Sequence, residues 1–151
     1  MRSITSLRQR RSITLYKLHN LWYNIIESEV LTMAESKLRE LSMDFSVDII
    51  NLVKYLKSNH ETIIANQIGR SGTSIGANIH EAQYAQGKKD FISKLEIALK
   101  EASETGYWLE LLHRTNYIND QQYKALSDKC AAIRVMLIAS CKTAKSSAEN
   151  K

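Results

Sequence analysis

The run R70-S-G-T-S-I-G-A-N-I-H-E-A82 decides the fold. It is rich in glycine and hydroxyl residues, yet the apolar residues in and around it keep helical spacing. At ~100° per residue, Ile64, Ile68, Ser71, Ile75, Ile79 and Ala82 fall on one face, an ordinary core stripe. Ala65, Gly69, Gly72 and Gly76, spaced four, three and four, form a second face where a neighbouring backbone can come close. Arg70, Ser74, Ala77 and Glu81 draw a third, polar line. Glycine inside a helix costs up to ~1 kcal/mol relative to alanine, so three on one side need a steric reason, and close helix packing supplies it. Gly69-Arg-Ser-Gly72 also has the spacing of the GXXG loop of KH domains, but that module needs flanking strands. A phosphate loop needs a preceding strand and a Gly-Lys-Ser/Thr sequence. Neither context is present.

The same periodicity extends in both directions. Helix one is expected over about Glu35–Ser58, burying Leu38, Leu41, Phe45, Ile49, Leu52 and Leu56. Ser58 and Glu61 have capping-box form and open helix two, with Gly87 at its C-terminal end. Helix three, about Lys88–Thr115, buries Phe91, Leu95, Ala98, Ala102, Gly106 and Leu109, with Asp90–Lys94 and Glu96–Lys100 as surface pairs at i, i+4. Asn119 with Gln122 caps helix four, whose core residues are Leu126, Cys130, Ile133, Leu137 and Ala144. The chain has no proline. Average usage of ~5% would interrupt a chain this long several times, so long helices follow. Four helices with short turns predict an all-α, antiparallel up-down-up-down four-helix bundle over residues 33–146, with 147–151 as a disordered tail.

Residues 1–32 read as an N-terminal extension to that bundle. Leu15, Leu18, Trp22 and Ile25 can form a short amphipathic helix, but the bundle needs no fifth element. Thr32 to Glu35 again has capping-box form. The Glu29-Val30 pair can be encoded by a ribosome-binding-site-like string, so Met33 is expected to be the native start.

The 151 residues carry a formal charge of +5. Five basic residues against Glu27 and Glu29 give the first 32 residues +3, which leaves only +2 for the rest. No apolar run approaches the ~18 residues needed to cross a bilayer. Polar residues interrupt the apolar segment behind the N-terminal arginines and no A-x-A cleavage site follows, so a cytoplasmic location is expected. Cys130 and Cys141 fall about 16 Å apart on one helix, too far for a disulfide. The histidines form no metal-binding motif beyond a single Glu110-x-x-His113, where a di-iron bundle needs two copies. Glu101 and Glu104 could act as an acid–base pair only in a cleft, and Ser71 and Ser74 have no histidine base. No enzymatic activity, metal or cofactor is expected.

Apolar residues also lie opposite the core stripes: Met43, Val47 and Ile50 on helix one, and Ile97, Trp108 and Leu111 on helix three, interleaved with Glu101 and Glu104. A single bundle cannot bury both faces of a helix, so self-association is expected. Unpaired carboxylates in such a seam are costly. Arg70 is therefore expected to pair with Glu101 or Glu104, within a subunit or across an interface.

Taken together, R70–A82, D90-F-I-S-K-L-E-I-A-L-K-E-A102 and E104-T-G-Y-W-L109 resemble the 23S rRNA intervening sequence proteins, from about Ser36 to Ala144. The resemblance implies a small bacterial cytoplasmic protein assembled as a ring-like homopentamer. It is more distant from the accessory protein of diversity-generating retroelements, a basic pentamer that binds nucleic acid and reverse transcriptase. The family's motif positions present here are Arg70, Ser71, Ser74, Ala77, Asn78, Glu81, Phe91, Lys94, Leu99, Glu101, Glu104 and Trp108. Among them Arg70, Ser74, Asn78, Glu81, Glu101, Glu104 and Trp108 are the candidates for assembly and charge pairing. Gly72 and His80 stand at positions that vary in the family. Two functions remain open. One is an RNA- or DNA-binding accessory oligomer using Lys88, Lys89, Lys94, Arg114, Lys142 and Lys145 on phosphates. The other is a structural or protein-interaction oligomer without nucleic-acid affinity.

Overall fold

The absence of any glycine or proline before Gly69 leaves nothing to interrupt the first helix, and in the computed structural model of the protein α1 runs unbroken over Ile4–Ser58. It is followed by α2 (Ile63–Ala82), α3 (Lys88–Arg114) and α4 (Asp120–Glu149). The structure describes residues 4–149, and the side chains of residues 1–16, 19 and 148–151 are not described. All four elements are α-helices, with no strand among the described residues. The chain divides into two compact units, Met1–Glu35 and Ser36–Lys151. The first is helical, with Leu18, Trp22, Ile25 and Val30 exposed. The side chain of Leu15, placed with them in the sequence pattern, lies outside the described residues. The second unit holds the four-helix bundle.

The start of α1 corrects the expected boundary at Glu35. Thr32 does not cap a helix there, because its hydroxyl donates back to the Ser28 carbonyl at 2.8 Å, as a residue inside a helix does. Ser58 likewise donates to Tyr55 O within α1, and the chain turns through His60 at φ 62°. Thr62 precedes α2, and the Glu61 carboxylate accepts from Ile64 N–H at 2.5 Å. Gly87 does not end α2, which stops at Ala82. It precedes α3 in an extended conformation. Asn119 and Gln122 form the expected reciprocal cap on α4, each side chain accepting from the other's backbone N–H. Helix α4 continues through Ser146 and Ser147 to Glu149, beyond the expected start of the tail, while residues 150 and 151 lie outside the described residues.

The core follows the stripes. Leu38, Phe45, Ile49, Leu52 and Leu56 of α1 pack with Ala65, Ile68, Ile75 and Ile79 of α2, and with Leu95, Ala98, Ala102, Leu109 and Leu112 of α3. Cys130, Ile133 and Leu137 of α4 complete the layer. Gly106 is not part of it, since a Cβ there meets nothing within 4 Å. Thr105, fully buried, takes that place in the stripe.

The glycine seam lies against α1. A Cβ on Gly69 would fall 3.1 Å from Val53 Cγ2, one on Gly72 2.8 Å from Ile49 Cγ1, and one on Gly76 3.0 Å from Ser46 Oγ. Rising numbers on α2 thus meet falling numbers on α1. At Gly76 the floor is polar but satisfied, because Ser46 donates to Ser42 O and Ser42 to Arg39 O, both at 2.8 Å. Gly72→Ala should destabilise the fold by ~1–3 kcal/mol, because fully buried Ile49 is branched next to its backbone and cannot swing aside. Gly106→Ala should stabilise it by about 0.5–1 kcal/mol. Urea unfolding at one fixed protein concentration measures both, and equal shifts would refute the steric role of the seam.

Candidate functional site

Side chains on the α3-facing side of α2 meet α3 in a polar seam. Arg70 donates to Glu104 Oε1 at 2.6 Å, and Trp108 Nε1 donates to the same oxygen at 3.2 Å. The structure thus pairs Arg70 with Glu104 within the chain, and not with Glu101. Farther along, Lys94 bridges to Glu81 at 2.5 Å. This hydrogen bond and the Glu81 charge raise the Lys94 pKa. Beside the Arg70–Glu104 pair the buried Thr105 hydroxyl hydrogen-bonds the Ser71 hydroxyl at 3.0 Å and lies 2.8 Å from Glu101 O. Asn78 donates to the Ser74 carbonyl at 2.8 Å, so those two are joined along α2. Glu101 shares the seam, half-buried.

Sequence reading placed Ser71 on the core stripe but passed over Thr105. The signal was available: Thr105 stands three residues after Ala102 and four before Leu109, a core spacing occupied by a hydroxyl that must find a partner.

The six candidate phosphate-binding cations divide by their partners. Lys94, Lys145 and Arg114 are held by Glu81, Glu96 and Glu110. Lys88 donates to the Ser147 hydroxyl. Lys89 and Lys142 are exposed and make no ion pair among the described residues. The Lys88–Ser147 and Lys145–Glu96 contacts bring the start of α3 to the end of α4, so Lys88, Lys89, Lys142 and Lys145 share one end of the bundle. Arg114 lies at the other end of α3, about 39 Å away at 1.5 Å per residue. The expected Asp90–Lys94 and Glu96–Lys100 pairs are replaced. Lys94 takes Glu81, Asp90 accepts from Gln86 N–H, and Glu96 takes Lys145 at 2.6 Å. Lys145 lowers the Glu96 pKa and Glu96 raises that of Lys145, first through their hydrogen bond. Their attraction is therefore present at neutral pH, lost in acid as Glu96 protonates and lost in strong alkali as Lys145 deprotonates.

The Glu110-x-x-His113 motif is divided between other partners, Arg114 for the carboxylate and Asp120 for the imidazole at 2.7 Å. Among the described residues no group of three or more His, Cys, Asp or Glu side chains could hold a metal ion. No described helix is long and apolar enough to cross a membrane. Both cysteines are free and buried. Burial pushes the Cys130 thiol up to about 11, and its Sγ donates to Ala102 O.

This bundle, with its α2/α3 seam, coincides with a known family model. Residues 34–139 match the model for 23S rRNA-intervening sequence proteins. The chain belongs to that family. A crystal structure at 1.70 Å of a protein of unknown function, from the S23 ribosomal protein family of Bacteroides thetaiotaomicron, is 49% identical. It superposes with a TM-score of 0.71 over 72% of this chain and 98% of that one. No curated protein matches. The family match ends before Lys142 and Lys145 and begins after the N-terminal arginines, so it encloses the polar seam completely but only part of the basic end.

Thr105→Val should cost ~1–3 kcal/mol by leaving the Ser71 hydroxyl buried without its partner, and adding Ser71→Ala should recover part of that loss. Chemical unfolding of the two single variants and the double variant tests the coupling, and strict additivity would contradict it. With its thiol pushed up to about 11 by burial, Cys130 is overwhelmingly protonated at pH 8, so an aromatic disulfide reagent should label it only as fast as the bundle opens. Labelling at the rate of a free thiol would show that the α3/α4 core is not closed.

Proposed function

We propose that the protein is a non-enzymatic cytoplasmic accessory protein that binds structured RNA as an oligomer. Its antiparallel up-down-up-down bundle serves as the protomer of a ring-like homopentamer. Support for assembly comes from α1, where Met43, Val47 and Ile50 form an outward row, 63%, 53% and 42% exposed. An apolar row opposite a complete core stripe has no use in an isolated bundle. The observation that carries RNA binding is the cationic end, where Lys88, Lys89 and Lys142 lie together with no carboxylate partner among the described residues. A charge of only +2 outside the first 32 residues gives weak attraction per copy, and assembly repeats it around a common axis, raising avidity without new contacts.

A second reading has its own observation. Half of the candidate cations, Lys94, Arg114 and Lys145, are already paired with carboxylates of the same chain. That favours a protein-interaction oligomer with no nucleic-acid affinity.

Filter binding of the full chain to a structured RNA at 50 and 200 mM salt separates them. The RNA reading expects binding that weakens steeply with salt. A variant carrying Lys88→Ala, Lys89→Ala and Lys142→Ala should lose affinity and flatten the slope of log K against log salt by ~0.7–0.9 for each phosphate contact removed. No retention at 50 mM removes RNA binding and leaves the interaction oligomer.

A further inference from the structure

The turn between α2 and α3 carries an aromatic ring that takes no part in the core. Tyr84 is 76% exposed and pairs with the ring of His80, one turn back on α2, with centroids 5.6 Å apart and planes at 42°. Its backbone is fixed, because the N–H groups of Gln83 and Tyr84 donate to His80 O and Glu81 O. A single exposed ring is ordinary on a protein surface. What sets this one apart is its surroundings.

Three features converge on it. The Gln83 side-chain oxygen accepts from Arg39 at 3.0 Å, which brings a guanidinium of α1 to the end of α2. Arg39 is exposed and makes no ion pair among the described residues. Next to it a groove of about 460 Å³ runs between α1 and α2, with Arg39 and His80 in its wall, left open by Gly76 and Ala77. That volume lies within the range of small-ligand sites, about 300–1,000 Å³. Of the outward row on α1, Met43 alone borders the groove, and Glu81, the one carboxylate lining it, is engaged by Lys94. Lys88 and Lys89 follow Tyr84 by four and five residues, and the Lys88–Ser147 contact draws the end of α4, with Lys142, to the same end of the bundle.

A duplex hides its base faces and offers such a surface only phosphates. An unpaired nucleotide offers a phosphate to a cation and a base face to a ring, and loops and ends of RNA are recognised by stacking splayed bases on aromatic side chains. Both kinds of contact meet at this turn. We infer that Tyr84 is the stacking platform for an unpaired nucleotide of the RNA, whose base lies over the α1/α2 groove while Arg39 takes its phosphate and Lys88, Lys89 and Lys142 take those that follow. The inference rests on the RNA binding proposed above, and makes the recognised part of that RNA a single-stranded loop or end.

Fluorescence anisotropy of the full chain at 50 mM salt tests it, with a short unstructured RNA and a blunt RNA duplex of the same length as probes. The unstructured strand should bind more tightly than the duplex. Tyr84→Ala, at an exposed position outside every helix and so without harm to the fold, should weaken strand binding about tenfold or more and leave the duplex unchanged. The slope of log K against log salt should stay as it is, since no phosphate contact is removed. Tyr84→Phe, which keeps the ring, should bind as the wild type does. A duplex bound as tightly as the strand, a Tyr84→Ala variant that holds the strand like the wild type, or an equal loss of both probes overturns this site and leaves RNA binding standing. A wild type that retains neither probe overturns both.

Discussion

The packing of α2 against α1 along Gly69, Gly72 and Gly76, where a Cβ has no room, is the constraint on which the rest of the bundle depends. A side chain at any of the three would enter Val53, Ile49 or the Ser42–Ser46 floor. Drawing α2 this close fixes its rotation. Ile68, Ile75 and Ile79 then point into the core, and the remaining side, with Arg70, Ser71, Ser74 and Glu81, is delivered to α3. The polar seam is thus a consequence of the glycine seam on the far side of the same helix. Helix propensity is sacrificed at three positions, and packing of fully buried Ile49 and Ile75 offsets it.

Charge then fixes register where apolar packing is permissive. Isoleucine and leucine stripes tolerate a slip of one turn at modest cost, whereas Arg70–Glu104 and Lys94–Glu81 hold α2 to α3 at two separated levels. Lys145–Glu96 does the same for α3 and α4, and Lys129–Asp48 ties α4 to α1. Each exposed pair contributes little on its own. Their value is that a slipped register breaks all of them together. The same pairing neutralises Lys94, Arg114 and Lys145 within the chain, while Lys89 and Lys142 at one end of the bundle make no ion pair among the described residues.

The helices and most of the core were legible in the sequence because burial has a period: Phe45, Ile49, Leu52 and Leu56 can hardly be read otherwise. The Arg70–Glu104 pair was legible because a half-buried seam with two carboxylates and one arginine has few solutions. Local signals failed wherever a tertiary partner competed. Glu96 and Lys100 have ideal i, i+4 spacing, but Lys145 of α4, 49 residues along the chain, takes Glu96 instead. Capping boxes at Thr32 and Ser58 failed because a hydroxyl inside a helix can bond to its own preceding turn, and nothing in four residues distinguishes the two uses. Spacing alone puts Gly106 in the core, whereas the hydroxyl of neighbouring Thr105, with Ser71 to receive it, fits the interior better. That Glu101 Oε2 is buried with no hydrogen-bond partner among the described residues could not be read from sequence at all, since it depends on which of two adjacent carboxylates Arg70 selects.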